Sequence, residues 1–326
     1  MEYTKEDIQR IVSHLKQYKH RLSKIYNWSI NFEKLIELKV FSSSEVENII
    51  RKNNFEQAIE LRNRVELKLS EFLKHSKEDF YNLSHWIIKD WGGINASRTS
   101  NLELIKNYLD QGIIKFERIA SLSKVLSFLN PQDYIIYDSR VAYSLNWILL
   151  SNHIKNKYFP LPSGRNPKIS AFDINVLIRL NNIKEYAVNE EETFKERLFL
   201  NNIENKFFFT KAEAYSELNK LVKRISEELW KENKQENLYY TEMLLFAIAD
   251  NEIYKEITNS VHLNIRERGY EVHYDDETPE QKLVAEWNCI IQLRNLNYSD
   301  KRIAEHMSTT IEKLKDIEAR YKKFFA

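Results

Sequence analysis

An all-α protein is predicted, and three observations carry that prediction. Only five glycines and five prolines occur in 326 residues, where average composition would supply about four times as many glycines. Helices tolerate that scarcity, whereas sandwiches and nucleotide-binding α/β sheets need glycine for turns and phosphate loops. Apolar residues recur at three- and four-residue steps along most of the chain, and Ser or Asp stands where several of these segments begin.

Composition narrows the class further. Hydrophobic residues make up 43% and charged residues 30%. No apolar run is long enough to span a bilayer and no basic, apolar leader opens the chain, so a soluble cytoplasmic protein with no membrane partner is expected. Cys289 is the single cysteine, which excludes an intramolecular disulfide and a cysteine-rich zinc site. A net charge of +1 argues against a uniform nucleic-acid field and directs attention to local clusters.

Ile8, Ile11, Val12, Leu15, Tyr18, Leu22 and Ile25 place one helical face in residues 4–25. Ser44 and Glu47 have capping-box spacing for a helix start, and Ile59, Leu61, Val65, Leu69 and Leu73 continue the period. A helix from Asp79 to Lys89 should end at Trp91-Gly92-Gly93, the one double glycine, in a tight exposed turn. Helices are expected next at Asn101–Leu109 and roughly Lys115–Leu129, the first ending at Gln111-Gly112 and the second at Asn130-Pro131. The apolar run Tyr134-Ile-Ile-Tyr137 then leads to Asp138-Ser139, an N-cap signature for a helix over Val141–Leu150. Residues 158–167 hold three of the prolines and read as a loop. Helical patterns resume at Ala171–Leu180, Lys211–Trp230 and Leu238–Ile257, and 268–279 reads as a break with a short strand.

Beyond Pro279 the pattern is an apolar helix to Asn295, a short helix starting at Ser299 or Asp300, a Ser-Thr-Thr turn and a basic last helix over Ile311–Phe325. This has helix-turn-helix form, with Thr309 or Thr310 as the second cap and Lys313 and Lys315 as DNA-contact candidates. The expected organisation is an N-terminal helical extension (1–50), a helical core (51–268) and this C-terminal bundle (279–326). The eight histidines are dispersed, with no pair at i, i+4 spacing around a glutamate, and neither phosphate-loop nor dinucleotide glycine motif occurs. No metal site and no cofactor are therefore expected.

The central stretch from Phe116 to Ala142 is a helix, a proline-ended turn, an apolar tetrad and a carboxylate opening the next helix. In this order it resembles the helix-hairpin-helix DNA glycosylase superfamily, with Ile135-Ile-Tyr-Asp138-Ser-Arg-Val141 matching the segment that carries that family's catalytic aspartate. The resemblance implies a glycosylase-like helical body around residues 50–258 and a base-flipping enzyme that binds DNA and hydrolyses the N-glycosidic bond of a damaged or modified base. Its setting would be DNA repair or, for a modified base in foreign DNA, phage defence. Asp138 would stabilise the positive charge that grows on the deoxyribose. Trp91, Gly92, Gly93, Ser121, Ser123 and Arg140 become DNA-contact candidates, and Tyr134, Tyr137 and Trp147 base-pocket candidates.

The family's glycine-bearing hairpin has no counterpart here, because Lys115–Ser123 contains no glycine. Lys124 superficially matches the nucleophile of bifunctional members. It precedes Asp138 by 14 residues, about one helical turn short, and a gapless count back from Asp138 puts Ala120 at the lysine position. A monofunctional, monomeric hydrolase is therefore expected. The alternatives are a non-catalytic DNA-binding protein on a glycosylase-like scaffold and a helical protein-interaction module.

Overall fold

A computed structural model describes residues 3–162, 167–182, 206–260, 279–295 and 298–325. Among the described residues the chain is all-α, and the one β pairing is an isolated bridge between Tyr158 and Phe208. The chain divides into two compact units, Met1–Tyr254 and Lys255–Ala326. No helix among the described residues is long and apolar enough to cross a membrane.

In the first unit α1 (Lys5–Lys19) opens with a capping box between Thr4 and Asp7 and buries Ile8, Ile11, Val12 and Leu15. The short α2 (Leu22–Ile25) and α3 (Glu33–Glu37) come next. Helix α4 (Ser43–Ile49) begins earlier than the spacing of Ser44 and Glu47 suggests. Ser42, with extended backbone, is the cap, and its hydroxyl and backbone N–H exchange hydrogen bonds with Glu45. Ser44 lies inside the first turn, where its hydroxyl has no free N–H to cap. Asn53 and Glu56 form the same motif ahead of α5 (Asn54–His75).

Residues 1–50 do not stand apart as an extension. Phe32, Leu35, Val40 and Phe41 share one buried cluster with Leu61, Val65, Leu69, Trp86, Ile105 and Val125. Helix α6 (Lys77–Trp86) runs directly into a π-helical turn, Ile87–Trp91. Such a turn inserts a residue into the helix and rotates the residues C-terminal to it. Gly93 then adopts φ +67°, a left-handed conformation that favours glycine. Helix α7 (Arg98–Gln111) ends on Gly112, also at φ +67°. A 3-10 turn, Phe116–Arg118, feeds α8 (Ile119–Leu129).

An extended stretch then reaches α9 (Ser139–Ser151), which Asp138 caps. Among the described residues the unit continues with α10 (Pro167–Ala171), α11 (Ile174–Asn181), α12 (Ala214–Leu229), α13 (Asn233–Glu236) and α14 (Tyr239–Ala249), and the chain is helical again from Glu252. Every residue from Val141 to Leu150 is buried, the mark of a helix at the centre of a bundle. It packs on α14, while α8 packs on α5. The first contact joins helices that begin 100 residues apart in sequence and the second joins helices that begin 65 residues apart.

The second unit contains α15 (Pro279–Asn295), α16 (Asp300–His306) and α17 (Ile311–Phe325) around Leu283, Ile290, Leu293, Ile303, Ala304, Leu314 and Ile317. Ser299 caps α16 and Thr310 accepts from the Lys313 backbone N–H at the start of α17. The short strand expected within the break at 268–279 falls among residues 261–278, which lie outside the described residues.

Candidate active site

Helix α9 begins where the chain emerges from the core, and three side chains fix the approach. The backbone N–H groups of Ile135, Ile136 and Tyr137 donate in turn to Asn219 Oδ1 at 3.0 Å, Glu242 Oε2 at 3.1 Å and Ser123 Oγ at 2.9 Å. A stretch outside regular secondary structure within a helical body has no backbone partners for its amides, so side chains from α12, α14 and α8 satisfy them instead. The next residue is Asp138. Its Oδ1 accepts from the Arg140 backbone N–H at 2.8 Å, which caps the helix. Its Oδ2 faces Lys124.

Lys124 Nζ lies 3.9 Å from Asp138 Oδ2, a charge contact too long for a hydrogen bond. The lysine is 6% exposed on a helix that is buried almost all round. Burial holds its pKa below the usual lysine value, with Arg62 and Arg140 acting in the same sense and Asp138 and Glu242 opposing. Its aliphatic tail is pressed against the turn after the π-helical segment. A Cβ on Gly92 would come within 2.6 Å of Lys124 Cδ and Cε and 2.7 Å of the Ile87 carbonyl oxygen. Gly92 is therefore the residue that lets the lysine lie flat beneath that turn.

Behind Lys124 lies a second pair. Arg62 is 3% exposed and Glu242 4%, and Arg62 Nη2 reaches both Glu242 oxygens at 3.0 and 3.1 Å. Arg62 also donates to Ser127 Oγ and rests on the rings of Trp91, Phe128 and Tyr239. Burial raises the Glu242 pKa, opposed by Arg62 and the Ile136 N–H. On the solvent side Arg140 pairs with Asp250, Nε to Oδ1 at 3.1 Å, and stacks on Phe246.

Two spaces share Lys124 and Asp138 in their linings. The outer cleft, about 440 Å3, is lined by Trp28, Gly92, Gly93, Arg118, Ser121 and Arg140 among others. The inner pocket, about 40 Å3, is walled by Tyr26, Trp28, Trp91, Ile136, Glu242 and Phe246. Trp28 meets Trp91 and Phe246 edge to face at 6.4 and 5.6 Å. The indole N–H groups of Trp28 and Trp91 are both buried without an acceptor.

Of the residues picked out in the sequence, Asp138, Lys124, Arg140, Trp91, Gly92, Gly93 and Ser121 come together here. Four others do not. Ser123 is fully buried and its hydroxyl holds the Tyr137 N–H, so it cannot contact DNA. Tyr137 is a core residue whose phenol donates to the Pro160 carbonyl, and burial raises its pKa. Trp147 is buried on α9 and lines neither space. Tyr134 stacks on Tyr215 and borders a different cleft with Phe116 and Lys211. Alternation of faces along the run before α9 accounts for Tyr137, the immediate neighbour of Asp138, which points the other way.

Lys313 and Lys315 are exposed on α17 of the second unit. Arg320 and Lys322 of the same helix pair with Asp316 and Glu318. Tyr26, Trp28, Arg62, Arg118, Glu242, Phe246 and Asp250 had no local sequence signal. Among the described residues no cluster of His, Cys, Asp and Glu could hold a metal ion. Comparison with family models, with curated proteins and with solved structures finds no match.

Proposed function

We propose that the protein is a DNA glycosylase-like enzyme that accepts a flipped nucleotide in the outer cleft and cleaves its N-glycosidic bond, with Asp138 as the essential carboxylate. The observation that carries this reading is the pairing of Asp138 with a buried amine, Lys124, at the floor of a cleft. An aspartate that only capped its helix would have no need of a desolvated lysine beside its second oxygen. Leaving of the base builds positive charge at C1′, and a carboxylate in a partly dry site stabilises it. Trp28 gives the outer cleft an aromatic wall, and a base carbonyl there would supply the acceptor that its buried indole N–H lacks. The cleft falls in the usual size range of ligand sites, roughly 300–1,000 Å3.

The same pairing favours a covalent route over the monofunctional one expected from spacing. Lys124 is one turn closer to Asp138 in sequence than the family pattern, yet a helix, a turn and an extended strand fold the two together. Burial favours its neutral, nucleophilic amine. That amine would attack C1′ as the base leaves with the C–N bonding electrons and the proton lost from nitrogen. Ring opening, with a proton passing to the sugar O4′, would then leave a protonated Schiff base.

The deciding experiment incubates the protein with duplexes carrying different base lesions and natural phage modifications, followed by alkali to reveal abasic sites and, separately, by borohydride. Base release that disappears in Asp138→Asn is expected, together with a borohydride-trapped adduct absent in Lys124→Ala. Release without any adduct returns the monofunctional mechanism. Full activity in Asp138→Asn removes Asp138 as the essential carboxylate, and no base release from any duplex leaves a non-catalytic DNA-binding scaffold.

A further inference from the structure

We propose that Arg118 is a phosphodiester-binding residue of the outer cleft, gripping the DNA backbone beside the nucleotide that reacts over Lys124. The inference rests on reading this cleft as a DNA site. Three cations line it, and they differ in their partners. Lys124 faces Asp138 and Arg140 faces Asp250. No carboxylate among the described residues lies within ion-pair distance of Arg118, although Glu117 borders the same cleft.

The guanidinium is nevertheless aimed. Nη1 donates to Ser100 Oγ at 2.6 Å and Nη2 to Asn101 Oδ1 at 2.8 Å. Asn101 is fully buried, and its amide nitrogen in turn bonds His85 Nδ1 at 3.0 Å. Neutral acceptors orient the fork without neutralising it, which leaves a fixed positive charge at the cleft wall. An arginine placed for stability alone would be expected to face a carboxylate, as Arg62 does.

Position agrees with this role. Arg118 is the residue immediately before α8, and six residues along that helix to Lys124 amount to about 9 Å of axis. Ala120 and Ser121 of the first turn of α8 border the same cleft, so their end of the helix dipole adds to the attraction for an anion. No glycine occurs between residues 113 and 123, so a side chain rather than a flexible backbone nest must supply this contact. Arginine matches phosphate geometry with two donors at once.

The test is fluorescence anisotropy of the full chain on a labelled duplex carrying one tetrahydrofuran abasic analogue, across a range of salt. Arg118→Gln removes the charge while keeping an amide that can bond Asn101. It should weaken binding on the order of tenfold and reduce the salt slope by about 0.9, one phosphate contact. Arg118→Lys should keep the slope and lose only part of the affinity, and thermal melts check that both variants remain folded. An unchanged Kd and slope in Arg118→Gln overturns the assignment, as does wild-type protein that fails to bind the duplex. Base release by a wild type whose Arg118→Gln variant binds equally well removes Arg118 alone. Arg118-dependent binding with no base released from any substrate leaves the phosphate contact standing and removes the glycosylase reading.

Discussion

Lys124 is held between opposing effects, a buried position that disfavours its charge and a carboxylate 3.9 Å away that favours it. Burial wins, so the folded chain binds its proton less tightly than the unfolded chain does. The destabilising contribution is fully present below the lowered native pKa and is relieved as pH rises towards the unfolded value of about 10.4. Urea midpoints measured from neutral pH up to the unfolded value of about 10.4 in the wild type and in Lys124→Met should show this as a difference. The wild type gains stability with pH relative to the variant, and parallel curves would mean the lysine is not desolvated. If the Schiff-base route operates, single-turnover base release should rise over the same pH range as the amine loses its proton. Gly92 is the complementary residue. Gly92→Ala inserts a methyl group against Lys124 and the Ile87 carbonyl, and a loss of about 1–3 kcal/mol is expected from overpacking. Activity should fall as well if displacement of the lysine matters, which chemical denaturation and a turnover assay separate.

At the scale of elements, the working part is the extended segment that delivers Asp138 to the start of α9. Its three amides are held by Asn219, Glu242 and Ser123, from three different helices. Glu242 has two tasks, accepting from Ile136 and neutralising Arg62. Glu242→Gln keeps an acceptor but strands the arginine charge among aromatic rings. Breaking a buried pair in this way typically costs about 3–5 kcal/mol. Arg62→Met combined with Glu242→Gln should therefore be less damaging than Glu242→Gln alone, a sign that a double-mutant cycle in urea detects. Additive losses would show that the pair contributes nothing jointly. The π-helical turn acts on the other wall, placing Trp91 and Gly92 against Lys124 where a regular helix would have carried them round by a different angle.

At the scale of the molecule, each of the two units has its own buried cluster. A chain ending at Tyr254 contains every residue lining the inner pocket and the outer cleft. It should unfold cooperatively and keep whatever base-release rate the full chain shows at saturating DNA. If Lys313 and Lys315 contact DNA, the shortened chain should bind more weakly with a smaller salt slope, which anisotropy measures. Equal affinity would assign the second unit another role.

The helical class could be read from glycine scarcity and periodicity because both are local properties of a chain, as were the Asp138 cap, the turn at Gly112 and, to within one residue, the caps of the last two helices. Asp138 and the double glycine were legible as site candidates for the same reason, since a helix start and a tight turn leave marks in adjacent residues. Tertiary structure alone decided which chemistry surrounds them. Tyr26 and Trp28, Arg62, Glu242 and Asp250 converge on Asp138 from far apart in the sequence, and no spacing rule relates residues joined only by packing. It also reversed the reading of Tyr137, whose ring turns into the core beside Asp138, and of Ser123, which is buried on α8 with its hydroxyl holding the Tyr137 N–H. Finally it brought Lys124 to Asp138 across a spacing that looked one turn too short. The distance between two side chains depends on the path of the backbone between them, and here a helix, a proline-ended turn and three side-chain clamps set that path.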